Sequence, residues 1–497
     1  MSTDAPSAIA EDAKRRAEID HSLRHPVMFF FTSGAAWLAI SILLGAFSSL
    51  KFYFPEILEG CEWTTNGRLF PAHLNVFIYG WGMQAAFGTM LWLMARLTRQ
   101  TVKSSGLILV AGHVWNLLVS LGLLGILAGR GTGEVWMAFP TQLWPAFLAV
   151  YALIGVWAVV NFRSQNTGHV YISQWFLIAA AFWFPWIYIS GNYFTFVYEG
   201  NALMNSAASY WFRSALLYLF FVPVGISAIY YLAPKVSGRP VYSYKLAMLS
   251  FWSLAIIGPW AGMQKLYGGP VPQNLPLFGA AASVLLAIPC FTVFFNIYKT
   301  LSGRDQVIAN SPTLRFTYAA ALGIFVLGAL SIFLNMPTMG MLAKAQFAIS
   351  NYGFDAAALY GFFSLSMFGA IYFIVPRVTK REWLSRRFIR WHFTLSVYGS
   401  ISLALFGALI GGILHGDAIE TWQNMPWANA IKQMRVYTTA IAAAWFFILF
   451  ANAFFFIHLA LMWLRLGRRS AHPTLLNADH GSTSPHGEAE VLEPTKA

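Results

Sequence analysis

Residues 206–234 read SAASYWFRSALLYLFFVPVGISAIYYLAP, with Arg213 as the single charged side chain. A helix rises 1.5 Å per residue, so a helix of this length crosses the roughly 30 Å hydrocarbon core of a bilayer. A long apolar run with so little charge is typical of a membrane span. The stretch therefore predicts a transmembrane helix, and similar runs recur on both sides of it.

The composition of the whole chain agrees with this interpretation. Of 497 residues, 58% are hydrophobic and only 10% are charged, whereas soluble domains carry about 25% charged residues. We predict an all-α, polytopic membrane bundle of about twelve transmembrane helices. The predicted spans lie near 27–50, 70–95, 105–129, 136–162, 171–198, 206–234, 243–267, 275–298, 316–336, 346–376, 391–414 and 436–464.

The distribution of charge indicates topology rather than a nucleic-acid partner. The net charge is +13, but the basic residues cluster in loops after even-numbered spans, as in 96–103 and 377–390, and the acids favour loops after odd-numbered spans. Lysine and arginine concentrate on the cytoplasmic side of membrane proteins. We therefore expect a multi-pass protein of the bacterial inner membrane, surrounded by lipid, with both termini in the cytoplasm.

The chain divides into three predicted regions. Residues 1–25 are expected to form a cytoplasmic N-terminal segment, 26–469 the membrane domain and 470–497 a disordered tail, which has little apolar content. Two cysteines, Cys61 and Cys290, argue against a disulfide scaffold or a zinc site.

Several motifs keep their order along most of the chain. They are GRL at 67–69, YYLAPK at 230–235, RPVYSY at 239–244, GAIY at 369–372 and WHF at 391–393. Together they resemble the catalytic subunit, subunit I, of cbb3-type cytochrome c oxidases in the haem-copper oxidase superfamily. The resemblance implies a subunit I-like bundle with two haems and copper. It also implies partner membrane subunits, including c-type cytochromes and small single-span subunits.

The resemblance also implies six histidine ligands, because neutral imidazole binds iron and copper well. One low-spin haem ligand falls on His73 and is retained. Spans 6, 7 and 10 contain no histidine, so a shift of register does not restore the site. The other low-spin ligand falls on Ala356, the high-spin ligand on Phe354, the copper ligands on Ser214, Gln264 and Lys265, and the family's redox tyrosine on Gly258.

The missing ligands favour a metal-depleted membrane scaffold of a respiratory or electron-transfer complex, a pseudo-enzyme, because fold alone does not license an activity. On this interpretation the chain binds no cofactor, although His73 stays a candidate ligand for a haem b if another group supplies the sixth ligand. One alternative is an active terminal oxidase or nitric-oxide-reductase-like enzyme with remodelled ligands. Another is an ion or proton transporter that reuses the bundle.

Charged residues stand at or beside the lost ligand positions. Lys265 lies at a copper position and Arg213 lies beside another, and Asp355 lies between the two lost haem positions. Intramembrane charges are costly and are usually paired or functional. We predict that Asp355 pairs with Arg213 or Lys265 and links spans 6, 7 and 10; the alternative is that each side chain reaches the interface separately.

The lost haems are also expected to be replaced by bulky side chains, because membrane protein cores are close-packed. Spans 5 and 10 are rich in aromatic residues that could occupy this volume. The candidates are Phe184, Trp186, Tyr188, Tyr193, Phe194, Phe354, Tyr360, Phe362 and Phe363.

Overall fold

The computed structural model describes residues 5–51, 54, 56–103, 105–163, 170–337, 341–345, 348–421, 426–469 and 476. Within these ranges the regular secondary structure is helical, apart from one isolated bridge between Arg381 and Arg469. We label the long helices α1 (Ala5–Leu50), α2 (66–98), α3 (Ser105–Leu127), α4 (Trp144–Arg163), α5 (Ile172–Val197), α6 (Ala202–Ser237), α7 (Tyr244–Ile257), α8 (Asn274–Leu301), α9 (Pro312–Asn335), α10 (Ser350–Thr379), α11 (Arg386–Ile419) and α12 (Trp427–Trp463).

The prediction of an all-α polytopic bundle is confirmed. Ten helical segments of the described chain are long and apolar enough to cross a membrane. The predicted spans 70–95 and 136–162 are the other two: α2 is helical but carries buried polar residues such as His73 and Gln84, and α4 extends over Trp144–Arg163 with its described apolar stretch at Thr141–Val156. The number twelve is therefore approximate, although each predicted span contains a helix.

Three predicted boundaries differ from the structure. Helix α1 begins at Ala5 and continues through residue 25 into the membrane span, because 11–25 contains helix-compatible charged residues and neither glycine nor proline. Trp136 lies in a loop before α4 rather than in the fourth span. Helix α7 ends at Ile257, where Gly258 and Pro259 begin two 3₁₀ turns. The predicted tail, 470–497, lies outside the described residues except for Leu476.

The core of the bundle is built around α2, α6 and α10. The most apolar windows of α6 and α10 are 94% and 100% buried, whereas those of the other eight candidate spans are 39–56% buried. Most residues of α2 are buried as well, including Trp81 and Trp92. These three helices are therefore enclosed by protein, and the remaining helices separate them from lipid.

Each central helix contains a π-helical segment close to a candidate site residue. The segments are Val76–Gly82 in α2, Leu217–Phe221 in α6 and Ala357–Ser364 in α10. They follow His73, Ser214 and Ala356 within three residues. A π-helical turn changes the register of the side chains that follow it and is frequent at functional sites. The predicted ligand positions thus lie next to the places where the helices are locally widened.

The backbones of α9 and α10 touch at Gly323. A Cβ atom at this position would lie 2.0 Å from the carbonyl oxygen of Gly361. This distance is too short for any side chain, so glycine is required for the helices to approach.

Gly323→Ala should therefore destabilise the protein by about 1–3 kcal/mol, the usual effect of overpacking. Gly155→Ala in α4 is the matched control, because its new Cβ would be 3.5 Å from the nearest atom, Cε1 of Tyr151. Thermal unfolding in detergent measures the stability of the two purified variants relative to the unmodified protein. Equal melting temperatures for the two variants would contradict the close approach.

Candidate functional site

An ion pair joins α6 to α10 at one end of the bundle. The Arg213 guanidinium contacts the Asp355 carboxylate through Nη2 and Oδ2, and the two side chains are only 12% and 4% exposed. The indole Nε1 of Trp136 donates a second hydrogen bond to the same Oδ2 over 3.1 Å. The indole ring also lies 5.9 Å from the guanidinium carbon. Asp355 is thus held between a cation and a neutral donor.

Trp136 adopts an unusual backbone conformation to make these contacts. It is fully buried and has a φ of +70°, in the left-handed region that bulky residues avoid. Its carbonyl oxygen accepts a hydrogen bond from the Tyr79 hydroxyl over 3.0 Å. Such strain costs about 1–3 kcal/mol and persists where surrounding contacts outweigh it. The loop before α4 is therefore positioned by α2 and α10 together.

A second polar contact connects α10 to the turn after α7. The Lys265 ammonium donates to Oδ1 of Asn351, one helical turn before Asp355. The Arg213 guanidinium also donates to the Asn351 carbonyl oxygen over 3.1 Å. The first turn of α10 therefore accepts hydrogen bonds from both cations, and Asp355 pairs with Arg213 rather than with Lys265.

Gly262 directs the chain back so that Lys265 faces α10. Its φ of +116° is accessible only to glycine, and an added Cβ would lie 2.8 Å from the Tyr210 carbonyl oxygen. The backbone N–H of Gly262 donates to Oε1 of Gln264 over 2.7 Å. This short bond fixes the turn that carries both Gln264 and Lys265.

These polar residues surround a small cavity of about 30 Å³. Pockets for drug-sized ligands usually have about 300–1,000 Å³, so this cavity is far too small for a haem. Ala356 and Gly258 are absent from its wall: Ala356 is buried beside it, and Gly258 packs against Leu219. The sequence-predicted positions in the wall are Arg213, Ser214, Gln264, Lys265, Phe354 and Asp355.

His73 lies apart from this cavity, in α2, as a buried and hydrogen-bonded side chain. Its Nδ1 lies 2.7 Å from the Ser41 carbonyl oxygen and 3.2 Å from the Ser41 hydroxyl. An Nδ1–H bond to a carbonyl leaves Nε2 with the lone pair, as in many metal-binding histidines. The Trp445 ring, however, packs nearly perpendicular to the imidazole ring, and the two ring centroids are 4.7 Å apart.

The residues at the positions that the resemblance assigns to the metals do not have the donor atoms that the metals need. Among the described residues, no three His, Cys, Asp or Glu side chains lie together as a metal-binding group. Ala356 and Phe354 have no donor atom for iron, and Arg213 and Lys265 place cations where copper would be held. His73 alone offers one axial ligand, and Ala356, at its partner position, offers none.

Aromatic side chains fill much of the central bundle, but not all of the predicted ones do. Phe184, Tyr188, Tyr360, Phe362 and Phe363 are buried in the main core. The other candidates in α5, Trp186, Tyr193 and Phe194, are 46%, 43% and 38% exposed on the side that faces away from the core. A helix has two sides, and aromatic content alone does not say which side is buried.

Four residues of the site and its surroundings were not among the residues predicted from the sequence. Asn351 could have been found, because it precedes Asp355 by four positions and so shares its helix face. Tyr352 and Trp445, which pack near His73, and Trp136 carry no such signal. Their positions depend on contacts between distant parts of the chain.

The comparison with protein families decides the identity of the fold. Residues 25–447 match the family model described as cytochrome c and quinol oxidase polypeptide I. The chain belongs to this family. The subunit I-like fold and the resemblance to cbb3-type oxidases are thereby confirmed.

Individual relatives of the family are bacterial oxidase subunits. The cbb3-type cytochrome c oxidase subunit CcoN1 of Stutzerimonas stutzeri is 27% identical over 76% of this chain and 81% of its own length. The cytochrome c oxidase subunit 1 homolog of Agrobacterium tumefaciens (strain T37) is 25% identical over 80% of this chain and 74% of its own. These relatives and the apolar helices make the chain a multi-pass bacterial membrane protein.

A solved structure extends the similarity to the whole fold. A haem-copper terminal oxidase studied as a dimer by cryo-electron microscopy superposes with a TM-score of 0.69. The alignment covers 94% of this chain and 88% of that chain at 14% sequence identity. Subunit I homologues of this family act in multi-subunit membrane complexes and bind haems and copper, and the present chain keeps their architecture.

Removing one partner of the Arg213–Asp355 pair should strongly destabilise the protein, because it leaves a buried charge uncompensated. We expect Asp355→Asn and Arg213→Gln each to cost about 3–5 kcal/mol. The double variant should cost less than the sum, since neither charge remains. Unfolding by SDS in mixed micelles measures this double-mutant cycle.

The pair Lys344–Asp417 at the same end of the bundle supplies the control. Its side chains are 30% and 43% exposed, so Asp417→Asn should cost no more than about 1 kcal/mol. Strictly additive effects of Asp355→Asn and Arg213→Gln would contradict a direct interaction between the buried charges.

Proposed function

We propose that this chain is a metal-free scaffold subunit of a respiratory or electron-transfer membrane complex. The observation that supports the proposal is the Arg213–Asp355 pair, whose residues lie beside the positions that the family resemblance assigns to the metal centre. Histidine ligands of that centre hold helices together through a shared metal ion. Here the ion pair and the Lys265–Asn351 contact link α6, the turn after α7 and α10 directly.

Electrostatics support the absence of copper from this position. Two unit charges 4 Å apart interact by about 4 kcal/mol at an effective dielectric constant near 20. A copper ion beside Arg213 and Lys265 would meet repulsion of this order from each cation, with only Asp355 to offset it. The positive charges of Arg213 and Lys265 would thus weaken copper binding in addition to the loss of histidine ligands.

The packing around His73 argues against a haem b there. Trp445, Tyr352 and Phe77 surround the imidazole, with ring centroids at 4.7–6.5 Å. The family's second axial position is Ala356, which cannot bind iron. A scaffold role therefore needs no cofactor in this chain, and any electrons would pass through haems of neighbouring subunits.

The arrangement of basic residues supports a membrane orientation with both termini in the cytoplasm. Arg96 at the end of α2 is 3.1 Å from the Asp20 carboxylate in α1. Arg377 and Lys380 at the end of α10 lie in the electrostatic field of the same carboxylate. One face of the bundle thus collects basic ends of even-numbered helices, as the positive-inside rule expects for a cytoplasmic face.

Partner subunits complete the proposed role. The family resemblance points to c-type cytochromes and small single-span subunits as the partners, and the lipid-facing sides of the outer helices are available to such spans. The segment 1–25, of which residues 5–25 begin α1, and the tail 470–497 would lie on the cytoplasmic side. The tail remains a proposed disordered region.

Metal and haem analysis of the chain, purified in detergent after expression without partners, tests the proposal. We expect substoichiometric iron and copper and a flat reduced-minus-oxidised absorption spectrum in the haem region. Purification from native membranes should instead co-purify cytochromes whose spectrum disappears when the partners are removed.

His73 supplies the internal control for this measurement. A haem signal from the isolated chain that is lost in His73→Ala would contradict the metal-free assignment at that position. Two haems and one copper per chain would overturn the scaffold role altogether and favour an active enzyme with remodelled ligands.

A further inference from the structure

We propose that the cavity between α6, α10 and the turn after α7 binds one small inorganic anion of halide size. The proposal concerns a site that the scaffold role does not require. It rests on the charge, the donors and the size of the cavity.

The charge of the wall is the first argument. Arg213, Lys265 and Asp355 all line the cavity, so the cations exceed the carboxylates by one. Asp355 is engaged by Arg213 and Trp136 through the same oxygen, and Lys265 contacts a neutral amide. An ionised group in a low-dielectric interior needs compensation. A monovalent anion beside Lys265 would neutralise the wall.

The unused donors of the wall are the second argument. An ammonium group has three N–H donors, and one from Lys265 goes to Asn351. The Ser214 hydroxyl makes no hydrogen bond to any residue that the structure describes. The side-chain oxygen of Gln264, Oε1, accepts a hydrogen bond from the Gly262 N–H. The side-chain NH₂ group of Gln264 is therefore the part that can donate. Lys265, Ser214 and Gln264 therefore offer unused donors to an anion in this space.

The size of the cavity limits the ligand. The volume is about 30 Å³, and one water molecule needs at least roughly 10–15 Å³ on the same measure. The space thus holds a monatomic ion and a neighbouring water, but no organic acid or phosphate ester. Leu334 and Phe354 form apolar parts of the wall and reduce competition from bulk water.

Radioactive chloride tests the proposal with the full-length chain purified in detergent. Equilibrium binding at constant ionic strength should show one saturable chloride site per chain, which bromide displaces and gluconate does not. Lys265→Gln should weaken chloride binding by about tenfold or more, because it removes the charge and the charge-assisted hydrogen bond.

Lys344→Gln is the matched control, since Lys344 lies at the same end of the bundle but contacts Asp417 instead of the cavity. It should bind chloride as the unmodified chain does. A second readout keeps the test valid if Lys265→Gln folds poorly: chloride should raise the unfolding temperature of the unmodified protein more than gluconate does.

No saturable chloride binding to the unmodified chain would overturn the proposal and indicate a water-filled cavity beside a neutral Lys265 amine. Equal chloride affinities of the Lys265→Gln variant and the unmodified chain would also overturn it. Metal analysis of the same sample distinguishes failure of the anion proposal from failure of the scaffold proposal. A chain that binds neither chloride nor metal contradicts only the anion site, whereas stoichiometric metal contradicts the scaffold role.

Discussion

A charge buried among membrane helices has to be compensated inside the protein, and this requirement organises the centre of the bundle. Arg213 and Asp355 are both nearly inaccessible, and neither would be stable there without the other. Their contact fixes the distance between α6 and α10, the two most enclosed helices. Trp136 then closes the site from the loop before α4, at the cost of a left-handed backbone. The remaining helices pack around this pair and isolate it from lipid.

Under the proposed scaffold role, the same positions would allow an oxidase fold to persist without its metals. A shared metal ion and a buried ion pair meet one structural need, since each holds facing helices at a defined separation. In this family member the contact from Lys265 to Asn351 adds the turn after α7 to the assembly. The widened turns in α2, α6 and α10 lie next to the predicted ligand positions. The architecture is therefore retained, while paired charges and aromatic rings occupy the positions where the family resemblance places metal ligands.

Much of the fold could be predicted from the sequence, because membrane spans have a strong local signal and the family motifs keep their order. The absence of histidine from spans 6, 7 and 10 is likewise visible without a structure. The choice of Arg213 over Lys265 as the partner of Asp355 could not be predicted, since it depends on the turn at Gly262, which aims Lys265 at Asn351. Trp136 was assigned to a span because it is apolar, yet its buried position comes from contacts with Tyr79 and Asp355, far away in sequence. Exposure of Trp186, Tyr193 and Phe194 was missed for the same reason: composition identifies a helix but not its neighbours.

The most direct test of a metal-free core is a cryo-electron microscopy density map of the native complex that contains this chain. The account predicts continuous side-chain density from Arg213 through Asp355 to Trp136, with Trp445 packed against His73 and no planar density between α2, α6 and α10. Density for a haem macrocycle beside His73, or a metal peak between Ser214 and Lys265, would contradict it.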